Sequence, residues 1–266
     1  MFDPNSEWRR VSSSIYRKPT DSKILGSVEL DVTELEVYLK NQREKGLKLT
    51  FTHFFAFAIA SGIKEKVPQF NTFVKRGKIV SRKTIDVAVS VLNHDATEMS
   101  AVVVKDFEKY NLKHFTQKLN LEIVESKKGT GGVNQSGKKM LAKIPWPFRA
   151  LFFRLIRFIT LDLGITSSFI GANPNQFGTF VLSNIGSVGL DVGYPALLPA
   201  SNVSAVFTMG NVETLPRYVN DELLPRRILK LAATMDHRVV DGLHGGLLFK
   251  YLKWAIKHPQ AFEIEV

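Results

Sequence analysis

The segment from residue 52 to residue 66 constrains the fold most strongly, because it is apolar on nearly every side of a helix. This pattern predicts a buried helix that ends before Pro68, since proline cannot continue a helix. The large apolar side chains of the segment are Phe54, Phe55, Phe57, Ile59 and Ile63. A chain of 266 residues, 44% of them hydrophobic, can bury such a helix in one large core or two small ones.

Strand patterns and a second helix pattern surround this buried helix. Residues 28–32 alternate apolar and polar side chains like a half-buried strand, and Thr33 can cap a helix that runs to about Glu44, before Gly46. The motif Lys75-Arg76-Gly77-Lys78 predicts a hairpin between two short strands. Two further strands are predicted at residues 85–92 and 99–105, so we expect one continuous unit over residues 28–104.

The last third of the chain returns to strand patterns, at residues 177–182, 203–207 and 228–234. A helix with one apolar face is predicted from about Gly242 to Lys257, and His258-Pro259 ends it. No internal repeat is visible, and we expect residues 1–266 to form a single domain with an insertion at about 127–175.

This insertion has a composition of its own. Residues 125–139 are rich in Lys, Gly, Ser and Asn, which predicts a flexible linker or loop. Residues 148–163 form an apolar helix pattern in which Arg149, Arg154 and Arg157 fall within an arc of about 140°. Because it carries three charges and is short, it is not expected to span a bilayer. Residues 145–163 therefore either lie on anionic lipid or a partner, or pack against the core or a neighbouring subunit.

The composition of the chain excludes some kinds of catalytic and metal-binding site and limits the expected partners. The chain has no Cys, which excludes thiolate nucleophiles, disulfides and Cys-based metal sites. Its formal net charge of +11 should attract anions such as CoA phosphates, nucleic acid or acidic lipid. No zinc-finger, RNA-binding or basic-zipper signature is found, so neither a metal nor nucleic acid is expected. The N-terminus lacks a secretory pattern, so the expected location is the cytoplasm, with membrane association as an alternative.

A histidine after the last predicted strand is the strongest candidate for catalysis. His237 follows a strand ending at Met235 and precedes the last helix, a position that holds a side chain rigidly at the edge of a cleft. A neutral imidazole can take a proton from a thiol or hydroxyl near pH 7, since its unperturbed pKa is about 6.5. Asp241 stands where the helix begins, so its position fits a helix N-cap as well as a catalytic role.

Asp236-His237-Arg238-Val239-Val240-Asp241-Gly242 resembles the active-site signature of the catalytic domain of 2-oxo acid dehydrogenase dihydrolipoamide acyltransferases. Its His-x-x-x-Asp-Gly form is shared with the related chloramphenicol acetyltransferases. Phe177-Gly178-Thr179-Phe180-Val181-Leu182-Ser183-Asn184-Ile185-Gly186 is similar to a second segment of the dehydrogenase family. Segments closer to chloramphenicol acetyltransferase are Trp8-Arg9-Arg10, residues 94–101 and Phe207-Thr208-Met209-Gly210. The resemblance covers about residues 8–125 and 175–262, in the order of the family.

The resemblance implies a two-layer α/β sandwich with a mixed sheet and helices on one face, assembled as a homotrimer with active sites at subunit interfaces. It implies that His237 is the general base and that Ser183 stabilises the oxyanion of the tetrahedral intermediate. It also implies that Asp241 pairs with an N-terminal arginine, for which Arg9 is the first choice, and so holds the His237 loop together with Gly242. His94 and Asn184 are weaker candidates for substrate contacts.

The implied activity is acyl transfer between CoA and a thiol, hydroxyl or amine. Members of the dehydrogenase branch usually carry lipoyl and subunit-binding domains before the catalytic domain, and here the resemblance begins at about Trp8. The acyl donor is therefore expected to be an acyl-CoA or a lipoyl group on a separate protein. A catalytically silent trimeric scaffold and an antibiotic O-acetyltransferase remain as alternatives.

Overall fold

The computed structural model describes residues 22–92, 99–127, 145, 148–165, 175–197 and 201–263. Two of the predicted site residues, Arg9 and His94, lie outside the described residues, as does most of the predicted linker.

Six of the strands form one mixed sheet in the order β1-β8-β7-β6-β4-β5, and β2 pairs with β3 in a separate hairpin. The sheet is mixed because β6 runs parallel to both β4 and β7, whereas the other neighbours are antiparallel. The strands are β1 (Lys23–Asp31), β2 (Thr72–Lys75), β3 (Lys78–Ser81), β4 (Val87–Leu92), β5 (Met99–Val104), β6 (Phe180–Asn184), β7 (Ala205–Val219) and β8 (Glu222–Asp236).

The helices in the described part of the chain are α1 (Thr33–Glu44), α2 (Phe51–Glu65), α3 (Leu112–Lys127), α4 (Phe148–Arg157) and α5 (Gly242–Lys257). A π-helical turn, Phe158–Asp162, continues α4 directly. None of these helices is long and apolar enough to cross a bilayer.

Helices α1, α2, α3 and α5 pack on one face of the sheet. Phe180 and Leu182 on β6 join the large core that also contains the buried side chains of α2. Val181, between them on the strand, points to the opposite face, where it packs with Ala88 and Val206 in a second, small cluster. This alternation confirms the expected two-layer α/β architecture with helices on one face.

The buried helix α2 occupies the centre of the helical layer. Every residue from His53 to Ile63 is buried, and the helix contacts α3 and α5 on its sides. The predicted segment 52–66 therefore matches α2 closely. The hairpin at Lys75-Arg76-Gly77-Lys78 and the last helix are also confirmed.

Three details differ from the sequence-based expectations. The N-cap of α1 is Val32, and Thr33 is instead the first helical residue, with its Oγ1 donating to Asp31 Oδ1 at 2.7 Å. Helix α3 was not predicted, and it extends to Lys127, so the first residues of the predicted linker, 125–127, are helical. Strands β7 and β8 are longer than predicted because their ladder continues beyond the buried segments into an exposed hairpin.

Candidate active site

The end of β8 holds His237 in a tight turn before α5. The backbone N–H of His237 donates to Ser22 O at 2.7 Å, next to the start of β1. The carbonyl of Asp236 accepts hydrogen bonds from the backbone N–H groups of Val239 and Val240, both at 3.1 Å. The main chain on both sides of His237 is therefore fixed, while its side chain remains 55% exposed.

The contacts of the His237 ring define its tautomer. Nδ1 lies 3.2 Å from the carbonyl oxygen of Val240 and 3.2 Å from Asp241 Oδ1. A carbonyl oxygen can only accept, so Nδ1 carries the proton of the neutral ring. Within the described residues no hydrogen bond reaches Nε2. The Nε2 lone pair is thus available to accept a proton from a bound substrate.

A clamp between Asp236 and Arg238 was missed by the sequence analysis. Arg238 Nε donates to both carboxylate oxygens of Asp236, at 2.9 and 3.0 Å, and a terminal nitrogen donates to Oδ2 at 2.6 Å. The backbone N–H of Arg238 also donates to Asp236 Oδ1, at 3.0 Å. The two residues directly flank His237, so this clamp closes the turn around it. The signal was present in the sequence as an acid and a base two positions apart.

Asp241 is the N-cap of α5, and its carboxylate also lies beside the His237 ring. Its backbone N–H donates to His244 Nδ1 at 2.9 Å, so His244 supports the start of the helix. Gly242 is the first residue of α5 and is exposed. Arg9, the expected arginine partner of Asp241, lies outside the described residues.

Ser183 and Asn184 form the carboxyl end of β6. Ser183 pairs with Thr208 on β7 and is partly exposed on the sheet face opposite the large core. The following turn approaches β7 closely at Gly210, where an added Cβ would lie 1.7 Å from Asp191 O. A side chain at Gly210 would therefore displace the segment that follows Ser183.

The chain does not bring Ser183 and His237 together by itself. Ser183 lies in register with Thr208, which in turn faces Ala232 on β8. His237 is five positions beyond Ala232, which corresponds to roughly 17 Å along the strand, and two strand spacings add roughly 10 Å sideways. The two residues are thus about 20 Å apart within one chain.

A cavity of about 220 Å³ lies at the carboxyl ends of β4 and β6, under the first turn of α2. Its polar lining includes Thr52, His53 and Asn184, and its apolar lining is Val89, Val91, Leu92, Ile123, Ile185 and Val188. His53 Nδ1 lies 2.7 Å from Thr50 Oγ1, whereas Nε2 has no partner among the described residues. Burial lowers the pKa of His53 to about 4, with a smaller opposing effect of Asn120, so this ring is neutral near pH 7.

The other histidines that the structure describes do not join either group. His114 and His258 are exposed, on α3 and just after α5. In the part of the chain that the structure describes, no cluster of three or more His, Asp or Glu side chains could hold a metal ion.

Comparison with known proteins identifies the family of the chain. A family model described as "2-oxoacid dehydrogenases acyltransferase (catalytic domain)" matches residues 10–135 and 170–264. The dihydrolipoyllysine-residue acetyltransferase component of the pyruvate dehydrogenase complex of Mycoplasma capricolum is 44% identical over 68 residues, which cover 26% of this chain and 15% of that protein. The chain spans about half the length, or less, of the curated relatives that it matches.

Solved structures share the fold. A probable dihydrolipoamide acetyltransferase from Listeria monocytogenes superposes with a TM-score of 0.65 at 18% identity, covering 97% of this chain and 94% of that one. A chloramphenicol acetyltransferase superposes with a TM-score of 0.51 at 15% identity, covering 95% and 96% of the two chains. The structural likeness supports the architecture, and the family model covers well over half of the sequence. The chain therefore belongs to the 2-oxoacid dehydrogenase acyltransferase family, through the catalytic domain of that family.

Proposed function

We propose that this chain transfers an acyl group between CoA and a dihydrolipoyl thiol carried on a separate protein. His237 Nε2 removes the proton of the attacking thiol, and the thiolate attacks the thioester carbonyl. The tetrahedral intermediate then collapses with expulsion of the other thiolate, which takes the proton back from His237. The Mycoplasma capricolum relative is the dihydrolipoyllysine-residue acetyltransferase component of a pyruvate dehydrogenase complex, which supports this choice of acceptor.

The observation that carries the proposal is the pose of the His237 ring. Its Nδ1 proton is directed at Val240 O and Asp241, so the basic nitrogen is the one that remains accessible. When Nε2 takes a proton, the Asp241 carboxylate at 3.2 Å stabilises the imidazolium that forms. Asp241 is thus proposed to act both as the helix N-cap and as a positioning residue for the base, with Arg9 as its second partner.

The oxyanion of the intermediate is proposed to accept a hydrogen bond from Ser183 of another copy of the chain. Within one chain Ser183 is about 20 Å from His237 by strand register, too far for both to reach one carbonyl. A cyclic homotrimer would bring the Ser183 end of one subunit to the His237 turn of the next, with one site at each interface. His94 is proposed to line the path of the acceptor.

Asn184 is proposed to contribute to the substrate pocket through the cavity beside α2. That cavity of about 220 Å³ is smaller than the roughly 300–1,000 Å³ of pockets that hold whole drug-sized ligands, so it fits part of a substrate. Its apolar walls suit a short acyl chain, and neutral His53 and Asn184 supply the polar groups.

Formation of S-acyldihydrolipoamide from acyl-CoA, measured by mass spectrometry, tests the activity. His237→Ala is expected to lower kcat by at least about 100-fold, the low end of the contribution of a positioned general base. His114→Ala is the matched control, since His114 is exposed on α3 and distant from the turn. Equal turnover in the two variants would remove His237 from the mechanism.

Mixing two inactive variants tests the shared site. If His237 and Ser183 act across an interface, co-expressed His237→Ala and Ser183→Ala subunits should assemble sites that contain one intact copy of each residue. Random mixing in equal amounts would restore about a quarter of the wild-type sites of a cyclic trimer. Activity no higher than the average of the two separate variants would contradict the interfacial site.

A further inference from the structure

Helix α4 and the π-helical turn after it present an apolar surface that the rest of the described chain leaves uncovered. Phe148, Leu151, Leu155 and Phe158 are between 53% and 66% exposed. We call these four residues the apolar ridge. Phe148, Leu151 and Leu155 recur with the spacing i, i+3, i+7, so their side chains project from the same side of α4. Large apolar side chains that line up in solvent mark an interaction surface.

Basic side chains border the apolar ridge. Arg154 and Arg157 on α4 are both exposed. The β2–β3 hairpin packs beside the end of this segment, where Arg76 Nε donates to Leu163 O at 2.9 Å, and it adds the exposed Lys78. Helix α4 itself contains no Asp or Glu. The surface thus combines exposed apolar side chains with several positive charges beside them.

We propose that the apolar ridge docks on an anionic lipid surface. The ridge would enter the boundary between headgroups and acyl chains, and the four cations Arg154, Arg157, Arg76 and Lys78 would contact lipid phosphates. The segment cannot span the bilayer instead, because Phe148–Asp162 is at most about 22 Å long against a hydrocarbon core of about 30 Å. Charge complementarity selects this occupant, since the surface offers cations beside its apolar side chains. The proposal is independent of the acyl-transfer chemistry.

Vesicle flotation of the purified full chain tests the proposal. One set of vesicles contains phosphatidylcholine only, and the other also contains 30 mol% phosphatidylglycerol, a composition chosen to supply anionic headgroups at about the level of anionic membranes. Arg154→Glu/Arg157→Glu is expected to reduce partitioning to the anionic vesicles about 25-fold or more, since each basic side chain near the surface contributes about a 5-fold preference. Arg43→Glu/Lys45→Glu makes the same charge change at exposed positions at the end of α1 and should reduce partitioning much less.

Leu151→Ser/Leu155→Ser removes part of the apolar ridge without changing the charge, and it should also release the protein from the vesicles. Thermal unfolding and light scattering of each variant accompany the flotation, to establish that fold and oligomeric state are retained. Equal partitioning of Arg154→Glu/Arg157→Glu and Arg43→Glu/Lys45→Glu would overturn the proposal, as would a wild-type chain that ignores anionic vesicles. Loss of an oligomer in Leu151→Ser/Leu155→Ser would overturn it too, because the ridge would then be an interface between copies.

Discussion

The clamp between Asp236 and Arg238 makes a quantitative prediction about how firmly His237 is held. Arg238→Gln removes the guanidinium that bridges both oxygens of the Asp236 carboxylate. The backbone hydrogen bond from Arg238 N to Asp236 Oδ1 would remain. The variant therefore loosens the turn around His237 without touching the ring or its contacts to Val240 and Asp241.

The size of the effect follows from the burial of the two partners. The Asp236 side chain is 7% exposed and that of Arg238 is 58% exposed. Exposed ion pairs contribute about 0.2–1 kcal/mol, and breaking a buried pair costs about 3–5 kcal/mol. The Asp236–Arg238 pair has one buried and one exposed partner, so its contribution lies between these limits. Arg238→Gln should therefore lower the free energy of unfolding by about 1.5–2 kcal/mol.

The effect on turnover should be larger than the effect on substrate binding. A displacement of a catalytic group by about 1 Å can cost on the order of 100-fold in rate, so we expect kcat to fall by about 10- to 100-fold. KM for the acyl-CoA should change by less than about 3-fold, because Arg238 holds the base in place and is not assigned a substrate contact.

Urea denaturation and steady-state kinetics measure the two effects, with Lys109→Gln as the control. Lys109 pairs with Asp106 at 2.7 Å, but both side chains are exposed, so this control should lose less than about 0.5 kcal/mol. Asp236→Asn and the double variant complete a thermodynamic cycle, which should give a coupling energy of about 1 kcal/mol or more. A coupling near zero, or a normal kcat in Arg238→Gln, would refute the idea that the clamp positions His237.

Two further predictions concern the pH dependence and the backbone. Burial lowers the pKa of His53 to about 4, against about 6.5 for an unfolded chain, so the unfolded state binds this proton more tightly. The free energy of unfolding should therefore have its full value above about pH 6.5 and fall by up to about 3 kcal/mol as the pH drops toward 4. Urea titrations of His53→Gln should lack this pH-dependent fall. Parallel pH profiles of the two proteins would contradict the prediction. Gly178 has a φ of +66°, and a Cβ there would lie 2.5 Å from Asp86 O, so Gly178→Ala should cost more than about 2 kcal/mol in thermal unfolding. Gly189→Ala, with a φ of +83° and open space around the Cβ, should cost only about 1 kcal/mol, and equal losses would argue against the clash.

Local patterns in the sequence were sufficient for most elements. The all-round apolar character of residues 52–66 predicted α2, because a helix that is apolar on every side must be buried. Helix α3 could have been found too, since Leu112, Phe115, Thr116 and Leu119 are buried at the spacing i, i+3, i+4, i+7. The second half of α3 obscured this pattern, because its apolar side chains Leu121 and Val124 lie off the buried face and are exposed.

The sequence by itself determined most of the elements and the identity of the candidate base, because helix and strand periods and short motifs are local properties of a chain. Only the tertiary structure decided which distant groups meet. The order β1-β8-β7-β6-β4-β5 puts Ser183 and His237 far apart in one chain, and the first turn of α2 encloses His53 beside Asn184. The tautomer of His237 also depends on the fold of its turn, which brings the Val240 carbonyl to Nδ1. Strand order and register depend on the packing of the whole core, and no local period encodes them.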